Sequence, residues 1–338
     1  MARKTRYTPR DSSRRRVWVY IGVAVFIAFD ILLIIWAINS TRASATGGTP
    51  RIIPSYGATT VPTASTTPAA TPSATPAATP TPASTTASSG TILPVPATHL
   101  LVAVDATTAW RAQTGACPAT TAAPQLTTDS GATWDTTDAS GPTDVTAPQS
   151  LTVTSATTVE LLGLAKSNCA PQVVKTFVSG DNYKAYPEKV ATSWYVDPAN
   201  RARVHAPGAD HAAPCDAVVA LAPKGDKVAA ALCADGRLFT TTDAAATWSA
   251  PATPPGAIAL ARASTGYLVV SAGRPDCAGT QLLTVTDALV ATVAGCHTTS
   301  TAAAALPGTV AVSEAGSTIW LWAGDTVVRS TDAGATFK

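Results

Sequence analysis

No cysteine stands before Cys117, no two are spaced Cys-x-x-Cys, and no Lys, Arg, Asp or Glu lies between Arg51 and Asp105. The missing close cysteine pair removes the commonest zinc and dithiol signatures. There is no Gly-x-Ser-x-Gly nucleophile elbow and no Gly-rich phosphate loop, so two widespread routes to hydrolysis and nucleotide chemistry have no anchor here. Methionine occurs once and phenylalanine five times, in a chain rich in Ala and Thr. That balance suits an all-β domain plus a low-complexity segment better than a helical enzyme.

Charge is scarce and unevenly placed. Up to Arg16 the chain carries Arg3, Lys4, Arg6, Arg10, Arg14, Arg15 and Arg16 against Asp11 alone. From residue 98 onward, 14 Lys or Arg face 19 Asp or Glu, so the folded part is mildly acidic. A basic nucleic-acid-binding face is therefore not expected, and no nucleic-acid partner is assigned.

Residues 17–38 (VWVYIGVAVFIAFDILLIIWAI) contain one charge and follow the Arg14-Arg15-Arg16 cluster. Their length matches the ~20 residues that cross a bilayer. Trp18, Tyr20 and Trp36 lie near the ends, where amphipathic rings favour the interface, and the basic cluster places the N-terminus in the cytoplasm. The expected organisation is a cytoplasmic tail (1–16), one transmembrane helix (17–38), a stalk (39–90) and an extracytoplasmic domain (91–338) at the cell membrane. Ala43-Ser44-Ala45 has the small-x-small form of a signal-peptidase site, but an h-region of this length reads as an anchor. Asp30 inside the span is either a contact to another helix or a tolerated acid.

The stalk, with repeats such as TTPAATPSATPAATPTPAS, holds too few large apolar residues to offset its ordering entropy. It reads as an extended spacer at ~3.1 Å per residue, with the Ser/Thr-Pro composition of O-glycosylated stalks.

Beyond the stalk one motif recurs. Thr127-Thr128-Asp129-Ser130-Gly131-Ala132-Thr133-Trp134 is followed by Thr241-Thr242-Asp243-Ala244-Ala245-Ala246-Thr247-Trp248 and by Ser330-Thr331-Asp332-Ala333-Gly334-Ala335-Thr336-Phe337. A worn copy, Thr176 to Tyr183, keeps the hydroxyl, glycine and aromatic but loses the acid. Hydroxyl and carboxylate side chains that bond nearby N–H groups shape a tight turn, and glycine supplies positive φ. The pattern S/T-x-D-x-G-x-T-W/F resembles the Asp-box, or BNR, repeat of sialidase-like and photosystem-assembly-factor-like propellers. The resemblance implies an all-β propeller in which each box joins the third and fourth strands of a blade, so its acids are structural rather than catalytic. Ala245 departs from the pattern where glycine is usual.

The glycine position falls at 131, 180, 245 and 334, and the last gap accommodates a cryptic blade: Tyr267–Ser271, then Gln281–Val285 and Leu289–Val293 around Thr286-Asp287. About five blades of roughly 45–50 residues result. Thr91 to Leu101 is expected to supply the outer strand of the last blade. The six cysteines of the exported region read as disulfides. Cys215 and Cys233 are symmetric about Pro223-Lys224-Gly225-Asp226, and Cys277 and Cys296 about Thr286-Asp287; elimination leaves Cys117 with Cys169.

The unusual segment is Tyr195 to Cys215, read as a loop that concentrates Arg201, Arg203, His205, Asp210 and His211. Loops on a rigid scaffold are where binding residues sit, so these five form the candidate binding loop. His205, Asp210 and His211 lack a diagnostic metal spacing, and no metal, cofactor or catalytic residue is assigned. A sialidase-type site would need an arginine triad, and nothing in the spacing of Arg111, Arg201, Arg203, Arg237, Arg262, Arg274 and Arg329 selects one. Arg51-Ile52-Ile53-Pro54 lacks the family's Arg-Ile-Pro pattern. The expectation is a non-catalytic binding or assembly module for an exported protein or cell-surface glycan. The alternative is a divergent sialidase-like glycoside hydrolase, and a third reading makes the domain a sensor head whose signal passes through the span.

Overall fold

The computed structural model describes residues 92–338. The expected tail, span and stalk all lie outside them. Among the described residues no helix is long and apolar enough to cross a membrane.

Alternating and continuous apolar runs separated by Gly, Pro and Asp-rich turns favour strands, and the described chain is built of six small antiparallel sheets. The first joins β1 (His99–Ala103), β2 (Ala109–Gln113), β3 (Gln125–Thr127) and β4 (Asp135–Thr136), and the second joins β5 (Val145–Ser155), β6 (Thr158–Ala165), β7 (Pro171–Thr176) and β8 (Lys184–Ala185). The third, in order β11-β10-β9, uses β9 (Tyr195–Val196), β10 (Arg203–Ala206) and β11 (Ala209–Ala212). The fourth contains β12 (Val218–Pro223), β13 (Ala229–Cys233) and β14 (Leu238–Thr241). In the fifth lie β15 (Ala257–Arg262), β16 (Tyr267–Arg274), β17 (Cys277–Val285) and β18 (Ala291–Thr298). β19 (Val310–Ala315), β20 (Thr318–Ala323) and β21 (Thr326–Ser330) complete the sixth.

All six are meanders whose strands pair in chain order, and in five of them the first strand packs on the first strand of another. β1 packs against β5 and β19, β19 against β15, and β15 against β12. Two of the second strands are buried along their length: Ala229–Cys233 and Thr318–Ala323 have no exposed residue. A continuous apolar run is what a strand covered on both faces requires. The core accordingly lies between sheets. Ile258, Leu268 and Leu282 of the fifth meet Val312, Ile319 and Leu321 of the sixth, and Trp110 meets Val159 across the first and second. This arrangement is compatible with a propeller.

The first and last sheets are joined by direct bonds. Thr98 N–H reaches Gly308 O at 2.7 Å, Ala103 N–H reaches Ser313 Oγ at 2.9 Å, and Trp320 Nε1–H reaches Asp105 O at 2.9 Å. The expected role of 91–101 is corrected here. His99–Ala103 pairs with β2, in the first sheet, and residues 92–97 form no strand. The backbone beside β21 is met instead by Lys338, which exchanges two 2.8 Å bonds with Arg329. The cryptic repeat is present as β15 to β18, with Thr286-Asp287 in the last turn.

Candidate functional site

The repeated motif forms one turn three times. Thr127 Oγ1 donates to Asp129 Oδ1 at 2.8 Å and accepts from Gly131 N–H at 2.9 Å. Asp129 then accepts from Thr133 N–H at 2.9 Å and Thr133 Oγ1 at 2.5 Å. Asp243 and Asp332 bond Thr247 and Thr336 in the same way. These donors hold all three carboxyls down at about 2: the Thr133 hydroxyl leads for Asp129, Thr247 for Asp243 and Ser330 for Asp332. Each carboxylate thus takes three bonds from within its own turn, two on Oδ1 and one on Oδ2. In the worn copy Thr176 Oγ1 still accepts from Gly180 N–H at 2.9 Å. There the buried Tyr183, bonded through its hydroxyl to Thr137 at 2.8 Å, anchors the turn in place of the missing acid. Trp134, Trp248 and Phe337 are half-buried plugs.

The bends tie to the opening hairpin of their own sheet: Ser130 N–H bonds Thr107 O, and Ala244 N–H bonds Lys227 O. In an antiparallel meander the first and third turns share one edge. The cysteines occupy the other. Cys117 is joined to Cys169, Cys215 to Cys233 and Cys277 to Cys296. The first bond links the β2–β3 and β6–β7 connections, and so staples two sheets together.

The Tyr195–Cys215 segment is not an irregular loop. It contains the third sheet, turned at Pro207-Gly208, with Gly208 at φ 98°. Pro followed by a positive-φ Gly is a type II turn signal, and it was legible in the sequence. Pairing sets His205 opposite both Asp210 and Tyr195. His205 Nδ1 lies 2.7 Å from Asp210 Oδ1, and its ring stacks on Tyr195 with centroids 4.6 Å apart and planes 13° apart. Arg203 is 3.8 Å from Asp210 Oδ2. Asp210 and Arg203 are about half exposed, at 53% and 49%, so the cluster opens to solvent. Burial, then Asp210 and Asp197, push the Tyr195 hydroxyl up.

The other two expected residues separate from this group. Arg201 turns inward, its Nε donating to Val218 O at 2.7 Å, and burial lowers its pKa. It braces β12. His211 pairs with Val204, one position out of step with His205, so it belongs to the opposite face. Among the described residues no three His, Cys, Asp or Glu side chains come together as a metal site. Tyr195 is the residue that the sequence reading missed, because only the β9–β10 pairing brings it to His205.

Three of the remaining arginines have separate engagements. Arg111 lies over Trp134 and Trp322 at 4.0 and 4.9 Å, with Nε on Gln125 at 2.7 Å. Arg237 pairs with Asp235 at 2.7 Å, and Arg329 donates to Ala106 O.

No family model and no curated protein matches the chain. Solved structures similar to it include β-propeller proteins of several activities. YCF48 bound to D1 peptide is 16% identical over 71% of this chain and 66% of that one, with a TM-score of 0.27. The BP39L lectin from Burkholderia pseudomallei is 13% identical over 71% and 82%, at 0.38. A Trypanosoma rangeli sialidase is 11% identical over 71% and 46%, at 0.28. At these TM-scores the likeness assigns no activity. The architecture stands on the sheets and turns themselves.

Proposed function

We propose that the chain is a membrane-anchored, extracytoplasmic recognition module of propeller type, non-catalytic, whose third sheet presents the binding face. In this reading residues 17–38 span the membrane, 39–90 hold the domain away from it, and five meander sheets close as blades around a common axis. The third sheet is the insertion that individualises the scaffold.

The observation that supports recognition is the Tyr195–His205–Asp210–Arg203 cluster. A flat aromatic pair beside a carboxylate and a guanidinium offers an apolar platform with donors and acceptors at its edge. That combination suits the CH faces and hydroxyls of a cell-surface glycan, or the polar rim of an exported protein. Asp210 already accepts from His205 and faces Arg203, so it is a hydrogen-bonding group held in place.

The test titrates the full chain, in non-ionic detergent, with cell-wall polysaccharides and sialosides while product release is followed. Binding without release, weakened about tenfold or more (1.4 kcal/mol) in both Tyr195→Ala and Asp210→Ala, supports the reading. Release of sugar overturns the non-catalytic assignment. Binding indifferent to both substitutions removes the third sheet from it. No binding at all shifts the partner to a protein, sought by cross-linking in the native membrane.

A further inference from the structure

A cavity of about 280 Å³ lies where the chain enters the domain, between the β13–β14 turn, the approach to β15 and the end of β16. Ile92 and Leu93 form one wall and Pro254 and Pro255 another. Its size is near the lower edge of small-molecule sites, ~300 Å³ and upward. Two glycines shape it. Gly273, at φ 68°, would bring a Cβ within 2.5 Å of Ile92 Cδ1, so the bare backbone is what admits Ile92. At Gly256, φ 70°, a Cβ would meet Ala272 O at 2.3 Å.

Two charges border this apolar space, and they are not equivalent. Asp235 is satisfied: its carboxylate accepts from Arg237 Nε at 2.7 Å and from Arg237 N–H at 3.0 Å. Arg274 is partly buried and makes no ion pair or side-chain hydrogen bond among the described residues. Its backbone is held at the turn opposite Cys277, which the bond to Cys296 fixes. A guanidinium on a fixed stretch of backbone, its donors unspent among the described residues, at the rim of an aliphatic cavity, is a group that a carboxylate completes.

We propose that this cavity binds a small aliphatic carboxylate, its head on Arg274 and its tail against Ile92, Leu93 and the two prolines. The site is separate from the third sheet and is independent of what that sheet recognises. Hexanoate is the probe, with hexanol as its neutral counterpart, titrated calorimetrically into the full chain in non-ionic detergent. Hexanoate is expected to bind about tenfold or more tighter than hexanol. Arg274→Gln is expected to erase that difference, and Arg274→Lys to keep part of it, because an ammonium retains the charge without the fork. Leu93→Trp, at the half-exposed rim, is expected to weaken both ligands by narrowing the mouth. Equal affinities for hexanoate and hexanol in the unaltered chain would falsify the proposal, as would hexanoate binding unchanged by Arg274→Gln or no hexanoate heat at all. The first comparison needs no variant, so a misfolded substitution cannot protect the idea.

Discussion

Ala245 holds φ 64° where Gly131, Gly180 and Gly334 stand in the sister turns. A side chain in this left-handed region costs about 1–2 kcal/mol, partly offset by the smaller entropy of an alanine in the unfolded chain. The Ala245 methyl is also buried in the cluster with Val204 and Val218, worth about 0.8 kcal/mol. The terms nearly cancel, so Ala245→Gly should move stability by less than about 1 kcal/mol, read from the urea midpoint. Gly334→Ala should destabilise clearly, losing about 1–3 kcal/mol, since its Cβ would lie 2.3 Å from Leu282 Cδ2. Gly131→Ala, with the nearest atom at 3.4 Å, should cost less than Gly334→Ala. These turns were legible in the sequence because every bond that makes them runs within eight residues. Tyr183 was legible as an aromatic but not as an anchor, because its partner Thr137 is 46 residues away.

At the scale of elements, covalent and non-covalent fasteners occupy opposite edges of the sheets. In the chain-entropy picture a disulfide stabilises more as the loop it closes lengthens. Cys117–Cys169 spans 52 residues and Cys215–Cys233 spans 18. Replacing the first pair by serine should cost about 4 kcal/mol and the second about 3, compared by urea denaturation. A larger loss from the shorter loop would set the entropic account aside for this domain. The third sheet shows what the pattern of residues conceals. Arg201, Arg203, His205, Asp210 and His211 stood out as a polar cluster. Their division into a brace, an exposed face and an opposite face depends on strand register, which a one-residue shift would invert. The sequence had the turn residues Pro207 and Gly208 to mark that hairpin, while the pairing with β9 has no local signature.

For the whole molecule, acid should act in two stages. His99 and His297 are lowered by burial, so the unfolded chain binds their protons more readily and stability declines as pH falls below the ordinary histidine value of 6.5. Asp129, Asp243 and Asp332 titrate at about 2 instead of 3.8. Their contribution is complete above 3.8 and is lost as pH drops toward 2. A series of Tm values against pH should show both declines, and His99→Gln should reduce the upper one, leaving the share of His297, without touching the lower. The spacing of the boxes made the repeated sheets readable. The entry of the chain was not, because Thr98 meets Gly308 across 210 residues.

That entry decides how the domain would bear tension. Residues 92–98 lead into β1, which holds five in-register partners on β2 and is flanked by β5 and β19. A pull applied along the β1 axis would load the bonds to β2 together, as a shear, instead of peeling them open one at a time. A tether attached at this point pulls on the first strand of the first sheet and leaves its last strand slack. In a force-extension experiment with the chain held at both ends, the first sheet should yield in a single tall rupture.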